Sequence, residues 1–154
     1  MSEPDPNIAL VQHFYECYAS QDYDAMRTEV LADDVAWLIP GHHPLAGWKH
    51  SAEEIVAFFS CLTEANFQAE VTALAAAGDW VIDLHRGWGR HEDLQLDMMW
   101  VLAYRIENGR IREVRNFAQD QAAADQFFWT VWAERLAPLP GRLATAVQEL
   151  ATTT

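Results

Sequence analysis

The sequence predicts an α+β fold in which a curved antiparallel sheet wraps around helices laid down before it. Three observations carry that prediction: helical stretches come first, consecutive strands with short polar turns run from Phe67 to Phe117, and helical periodicity returns only after Asp120. Asn7 or Pro6 opens a helix in which Ile8, Val11, Tyr15 and Tyr18 recur at helical spacing, and Ser20-Gln21-Asp22 ends it. A second short helix, Tyr23 to Leu31, follows at once. Val35-Ala36-Trp37-Leu38-Ile39 alternates as a strand and stops at Pro40-Gly41, where proline removes a ladder donor. Ser51-Ala52-Glu53-Glu54 is a capping box that launches a third helix through Leu62. Phe67 to Ala75 makes a strand, Trp80 to Ile106 a hairpin, and Asn108-Gly109 turns the chain into Arg110 to Phe117. Asp120 then caps a helix carrying Phe127, Phe128, Val131 and Trp132, and Pro138-Leu139-Pro140-Gly141 leads into a helical segment from Leu143 to Leu150.

At 154 residues the chain is read as a single domain, residues 1–154, with a core over about 8–132 and a helical tail over 133–154. The formal net charge of −13 argues against binding to a phosphate backbone or an anionic membrane surface, so nucleic acid is not expected as a partner. Cys17 and Cys61 lack metal-ligand spacing and suit reduced thiols. The start, Met1-Ser2-Glu3-Pro4-Asp5-Pro6, has no basic and apolar leader pattern, and no apolar run reaches membrane-spanning length, so a cytoplasmic protein is expected. Seven Trp, seven Phe and four Tyr exceed what a small core usually uses and suit a pocket or a subunit interface.

The hairpin is the most informative stretch. A two- or four-residue connection at Arg90-His91-Glu92-Asp93 pairs Arg86 with Asp97, Arg90 with Asp93, His85 with Met98 and Asp83 with Trp100. Asp83 and His85 then share a face with Leu96, Met98, Trp100, Leu102 and Tyr104, so two ionisable groups sit in an apolar cavity. A three-residue turn inverts every side chain and sends Ile82 and Leu84 inward instead. In the first register, Asp83 and His85 are set up for general acid–base chemistry; the plain alternative is an exposed Asp and a hydrogen-bonded core or interface His. Trp37, Tyr18, Phe14, Met98 and Trp100 are expected to line the cavity or simply to fill the core. His42 and His43, with His50 nearby, invite a metal reading, but adjacent loop histidines rarely ligate one ion and no His-x-x-x-His helix is present; His43 is read as pocket rim or solvent-facing loop, and no metal site is expected. Gly87-Trp88-Gly89 lies inside a strand and is no phosphate loop, and no Gly-x-Ser-x-Gly elbow occurs.

The chain resembles the SnoaL-like branch of the nuclear transport factor 2-like superfamily, which also contains ketosteroid isomerase. The residues that carry the resemblance are Phe14-Tyr15-Glu16, Ser20 to Ala25, Leu31 to Trp37, Pro40-Gly41 with Pro44 to Gly47, and Asn108 to Val114 leading to Asp120-Gln121. The resemblance implies a cone-shaped fold, a homodimer, a deep pocket for a hydrophobic small molecule, and no metal or organic cofactor. Matching the first strand to ketosteroid isomerase puts Ile39 where that enzyme has its proton-shuttling Asp, Phe14 at its oxyanion-hole Tyr, and Trp100 or Leu102 at its neutral Asp. Isomerisation by that apparatus is therefore not expected. Arg115-Asn116-Phe117 and Pro138-Leu139-Pro140 are similar to the phenazine-biosynthesis A/B proteins, whose pocket carboxylate matches Asn116. An amide cannot shuttle a proton, but it can donate to a carbonyl or developing oxyanion. Asp120 reads first as an N-cap, and a pocket-facing role would resemble the acid–base Asp of the polyketide cyclases.

Together these readings give Asp83 as base, His85 as acid or orienting partner and Asn116 as carbonyl donor, with Tyr18, Trp37, His43, Met98, Trp100 and Asp120 contacting substrate. The expected activity is a cofactor-independent cyclase, isomerase or dehydratase in specialised metabolism. A non-catalytic carrier of the same fold, or a dimerisation module whose pocket is filled by its own aromatics, remains the alternative.

Overall fold

The computed structural model describes residue 3 and residues 5–133. Its elements run α1 (Pro6–Ser20), α2 (Tyr23–Ala25), a π-helical turn (Met26–Val30), β1 (Leu31–Ile39), β2 (Gly47–Lys49), α3 (Ala52–Glu64), β3 (Gln68–Ala77), β4 (Trp80–His91), β5 (Leu94–Glu107), β6 (Arg110–Ala118) and α4 (Gln121–Trp132). The strands form one curved open sheet in the order β2-β1-β6-β5-β4-β3. Pairing is antiparallel except between β1 and β6, which run parallel. Among the described residues, no helix is long and apolar enough to cross a membrane. The segments Pro138–Gly141 and Leu143–Leu150 lie outside the described residues.

Local chemistry sets the boundaries. Asp5 accepts from the amides of Asn7 and Ile8 and puts Pro6 at the first helical position, while Gln21 ends α1 in the left-handed region at φ 57°. Ser51 caps α3 through the Glu54 amide, and the Glu54 carboxylate reaches back to the amide of His50. Asp120 caps α4 through the Ala123 amide. The helix expected over Tyr23–Leu31 is shorter: three α-helical residues give way to the π-helical turn, and Leu31 already starts β1. β2 has only three residues, too few for an alternation signal, and pairs Trp48 with Leu38.

The β4–β5 hairpin turns on Glu92-Asp93, with Glu92 at φ 54°, and His91 faces Leu94. His85 therefore opposes Trp100 and Asp83 opposes Leu102, a shift of two residues along β5 from the pairing expected above. An even shift leaves every side chain on its anticipated face. Arg86 opposes Met99, yet its guanidinium still makes two bonds with Asp97, of 2.8 and 2.6 Å, along the diagonal.

The sheet's inner face packs on α1, α3 and α4 through a continuous apolar core. At its centre Phe14, Trp37, Phe59 and Tyr104 interlock, with Phe14 ring centroids 5.4 Å from Trp37, 5.6 Å from Phe59 and 5.9 Å from Tyr104. Tilted and edge-on pairs of this kind add about 0.5–1.5 kcal/mol each beyond their buried area.

Candidate functional site

Along β4 the usual logic of burial is reversed. Asp83 is 0% and His85 8% exposed, while their aliphatic neighbours Ile82 and Leu84 are 40% and 37% exposed. A buried carboxylate is tolerable only if its lone pairs are satisfied. Here Tyr15 and Tyr104 donate their hydroxyls to Asp83 Oδ2 at 2.5 and 2.7 Å, and the Leu102 amide donates to Oδ1 at 3.3 Å. His85 Nδ1 completes the set at 2.7 Å from Asp83 Oδ1. Burial pushes the hydroxyl of Tyr15 far above its ordinary value, with the Asp83 charge adding to the effect. Burial raises Tyr104 strongly as well. Both phenols thus stay protonated and remain donors. With Nδ1 engaged by Asp83, Nε2 is the imidazole nitrogen left for whatever enters the cavity, the tautomer and orientation being set by the carboxylate behind it.

His85 forms part of the wall of a narrow cavity between the sheet, α1, α3 and α4, of which about 70 Å³ is open to the centre of a water molecule. Phe14, Tyr18, Trp37, Phe59, Phe67, Trp100 and Phe128 supply most of the remaining wall, with Asn116, His43 and Gln121 as its further polar members. Trp37 Nε1 donates to Asn116 Oδ1 at 2.6 Å. An indole can only donate, so the amide oxygen is fixed on that side and Nδ2 is the group left to meet a ligand. Tyr18 spends its hydroxyl on the Phe67 carbonyl at 2.7 Å and meets the cavity with its ring.

His43 is buried and committed. Its Nδ1 accepts from the Leu45 amide at 3.2 Å, which leaves the proton on Nε2 to donate to the Pro40 carbonyl at 3.0 Å. Desolvation lowers its pKa to about 4, so the ring is neutral at pH 7. The loop that carries it is tied to α4: Asp125 Oδ1 accepts from the His42 amide at 3.2 Å and from Gln121 Nε2 at 2.9 Å, and the His43 ring lies 4.5 Å from Phe128. Gly41, at φ +100°, makes that approach possible, because a Cβ there would collide with the Asp125 carboxylate and the Gln121 amide. Gly87 and Gly89 do similar work on β4. A Cβ on Gly87 would stand 2.7 Å from Trp100 Nε1, and one on Gly89 would overlap the Phe67 ring.

Not every residue singled out above meets the cavity. Asp83 sits behind His85 rather than on the wall, Met98 is buried in the core, and Asp120 is an exposed helix cap. Asp83 and His85 come together, but Asn116 stands apart. Asn116 pairs with Leu102, which pairs with Asp83, so the amide starts two strands, or about 10 Å, from the carboxylate's strand. Tyr15 and Gln121 belong to the site although sequence reasoning gave them no role there, and Tyr104, expected on the same face as Asp83, turns out to be one of its donors. Tyr15 and Tyr104 carried a readable signal: each lies on a buried face, and a buried phenol needs a polar partner. Among the described residues, no group of three or more His, Cys, Asp or Glu side chains is arranged to hold a metal ion.

Known proteins share the fold of this chain. An uncharacterized protein of Mycobacterium tuberculosis (strain ATCC 25618 / H37Rv) is 28% identical over 131 residues, covering 80% of this chain and 97% of that protein. Bal32a, from a soil-derived mobile gene cassette, superposes with a TM-score of 0.75 at 27% identity over 80% of this chain and 96% of its own. An LEH-like epoxide hydrolase of M. tuberculosis shares the fold, with a TM-score of 0.64 at 14% identity over 83% of this chain and 95% of its own. The SnoaL-like domain family matches residues 11–114, two thirds of the sequence, and the chain belongs to that family.

Proposed function

We propose that the protein is a cofactor-independent general acid–base enzyme, of cyclase, isomerase or dehydratase type, acting on a hydrophobic carbonyl-containing small molecule in specialised metabolism. The observation that carries this reading is the buried Asp83–His85 pair with the imidazole presented to an aromatic cavity. In this scheme His85 Nε2 takes the substrate proton, Asp83 orients the ring and stabilises the imidazolium, and the same nitrogen returns the proton to the product. The roles of base and orienting partner are thus exchanged relative to the sequence-based expectation, because a carboxylate saturated by four donors has no edge left for substrate. Asn116 Nδ2 donates to a substrate oxygen. An epoxide hydrolase of the same fold supports an enzyme in general and, at its low identity, no particular reaction.

The test uses a planar base-labile probe, 5-nitrobenzisoxazole, whose ring opens when a base removes its C–H proton and the N–O bond breaks to give 2-cyano-4-nitrophenolate. The native protein is expected to turn it over saturably, and His85→Gln to lose on the order of 100-fold in kcat/KM. Turnover no faster than buffer, or unchanged in His85→Gln, overturns the acid–base reading.

The separation of Asn116 from the dyad favours a second reading, a non-catalytic carrier that holds its ligand at two distant polar points. A ligand that binds tightly and is recovered unchanged supports it. On either reading the protein acts as a homodimer, through the outer sheet face where Ile82, Leu84 and Phe117 are exposed; sedimentation equilibrium giving a monomer at micromolar concentration refutes that assembly.

A further inference from the structure

Beside the aromatic cavity lies a larger open groove of about 780 Å³ between α1 and β3. The two spaces share Tyr15, Tyr18, Phe67 and Ala69, so they adjoin along those residues. Their chemistry differs. The groove is floored by Ala69, Val71 and Leu74 and rimmed by the carboxamides of Gln12, Gln21, Asn66 and Gln68. Among the described residues none of these four side-chain amides has a protein hydrogen-bond partner. Among the described residues that line the groove Glu16 is the single charged one, its carboxylate meeting His13 Nδ1 at 3.5 Å outside the lining, and no lysine or arginine lines the space to compensate a phosphate, sulfate or carboxylate.

We infer that the groove is a second subsite, which takes an uncharged, hydroxyl-rich group carried by the ligand whose flat apolar part occupies the cavity. A carboxamide both donates and accepts, as a hydroxyl does, so several amides around one space match a polyol better than any charged group. Tyr15, Tyr18 and Phe67 add ring surface for the C–H faces of such a group. Size points the same way. A cavity with about 70 Å³ of free space holds little beyond one small ring system, whereas ligand sites of ordinary size run to several hundred Å³. The groove supplies the missing volume directly beside the cavity, along the shared Tyr15, Tyr18 and Phe67. The ligand class is therefore an aromatic or similarly flat body bearing a sugar-like substituent. This inference rests on the apolar-ligand reading of the cavity given above.

Calorimetric titration of the full chain with 2-naphthol and with 2-naphthyl β-D-glucopyranoside tests it, each against the native protein and against Gln12→Ala/Gln68→Ala. Both substitutions fall on exposed positions and leave the core intact. The glucoside is expected to bind at least fivefold more tightly than naphthol, and the double substitution to erase that advantage while leaving naphthol within twofold. Equal or weaker glucoside binding, or an advantage that survives the substitutions, overturns the subsite. Glucoside binding that the substitutions abolish, with no binding of naphthol, supports the groove and overturns the apolar-cavity reading instead. Failure of both probes overturns the two together.

Discussion

Acidification should loosen the cavity's loop through His43, and the size of the effect follows from the geometry. The ring is neutral in the folded chain, accepting from Leu45 and donating to Pro40. Protonation turns Nδ1 into a donor facing a donor, and it does so in a buried setting where desolvation opposes the charge; Asp125 favours the cation, and Lys49 and His42 oppose it. The unfolded chain takes up this proton as pH falls through 6.5, the folded chain only near 4. The folded state therefore binds fewer protons between those values, and stability falls with pH across that window while being unaffected by this group above it. At 1.36 kcal/mol per pKa unit the loss reaches about 2 to 3 kcal/mol at the low end. Urea titrations followed by tryptophan fluorescence at pH 7.5 and 4.5, on the native protein and on His43→Gln, isolate it. Every other ionisable group is common to the two proteins, so the native protein should lose about 2 kcal/mol more than the variant. A difference below about 0.5 kcal/mol refutes the assignment of His43 as a buried neutral imidazole.

Three further expectations follow from single contacts. Tyr104→Phe removes a donor from the buried Asp83 carboxylate and should destabilise by about 2 kcal/mol in the same titration; a cost under about 0.5 kcal/mol contradicts the four-donor arrangement. Gly89→Ala drives a methyl into the Phe67 ring with the Ala65 carbonyl 3.2 Å away, and an overpacking cost of about 1–3 kcal/mol should appear in thermal melts, whereas a neutral result refutes the close approach. Asp120→Ala should cost about 1 kcal/mol as a lost N-cap and leave ligand affinity unchanged; a drop in affinity without loss of stability would assign that carboxylate to the substrate instead.

Much of the architecture was legible because its signals are local and repeated. Ser51 and Asp120 announce helices, Pro40-Gly41 and Asn108-Gly109 announce breaks, and alternation along β4 and β5 puts Asp83 and His85 on the face with Trp100 and Tyr104. The hairpin's partners were less legible than its faces. Pairing opposite charges directly put Arg86 across from Asp97, whereas the guanidinium is long enough to make the same ion pair diagonally and the turn at Glu92-Asp93 decides the register. The distribution of roles in the site was not legible. Whether Asp83 or His85 reaches the cavity depends on Tyr15, which comes from a helix nearly seventy residues away, and on how deep the carboxylate sits beneath the imidazole. β2 and the β1–β6 parallel contact arise from tertiary proximity and leave no periodic trace.

The inside-out character of β4 gives this chain a rival to its own native state. Sliding that strand by one position would tuck Ile82 and Leu84 into the oil and return Asp83 and His85 to water, a trade that solvation by itself rewards. What holds the native alignment is the pair of tyrosines awaiting the carboxylate and the two gaps at Gly87 and Gly89 into which Trp100 and Phe67 fit. Substitutions that enlarge those glycines or shorten those phenols thus act on which hairpin forms, as well as on how firmly the native one is held.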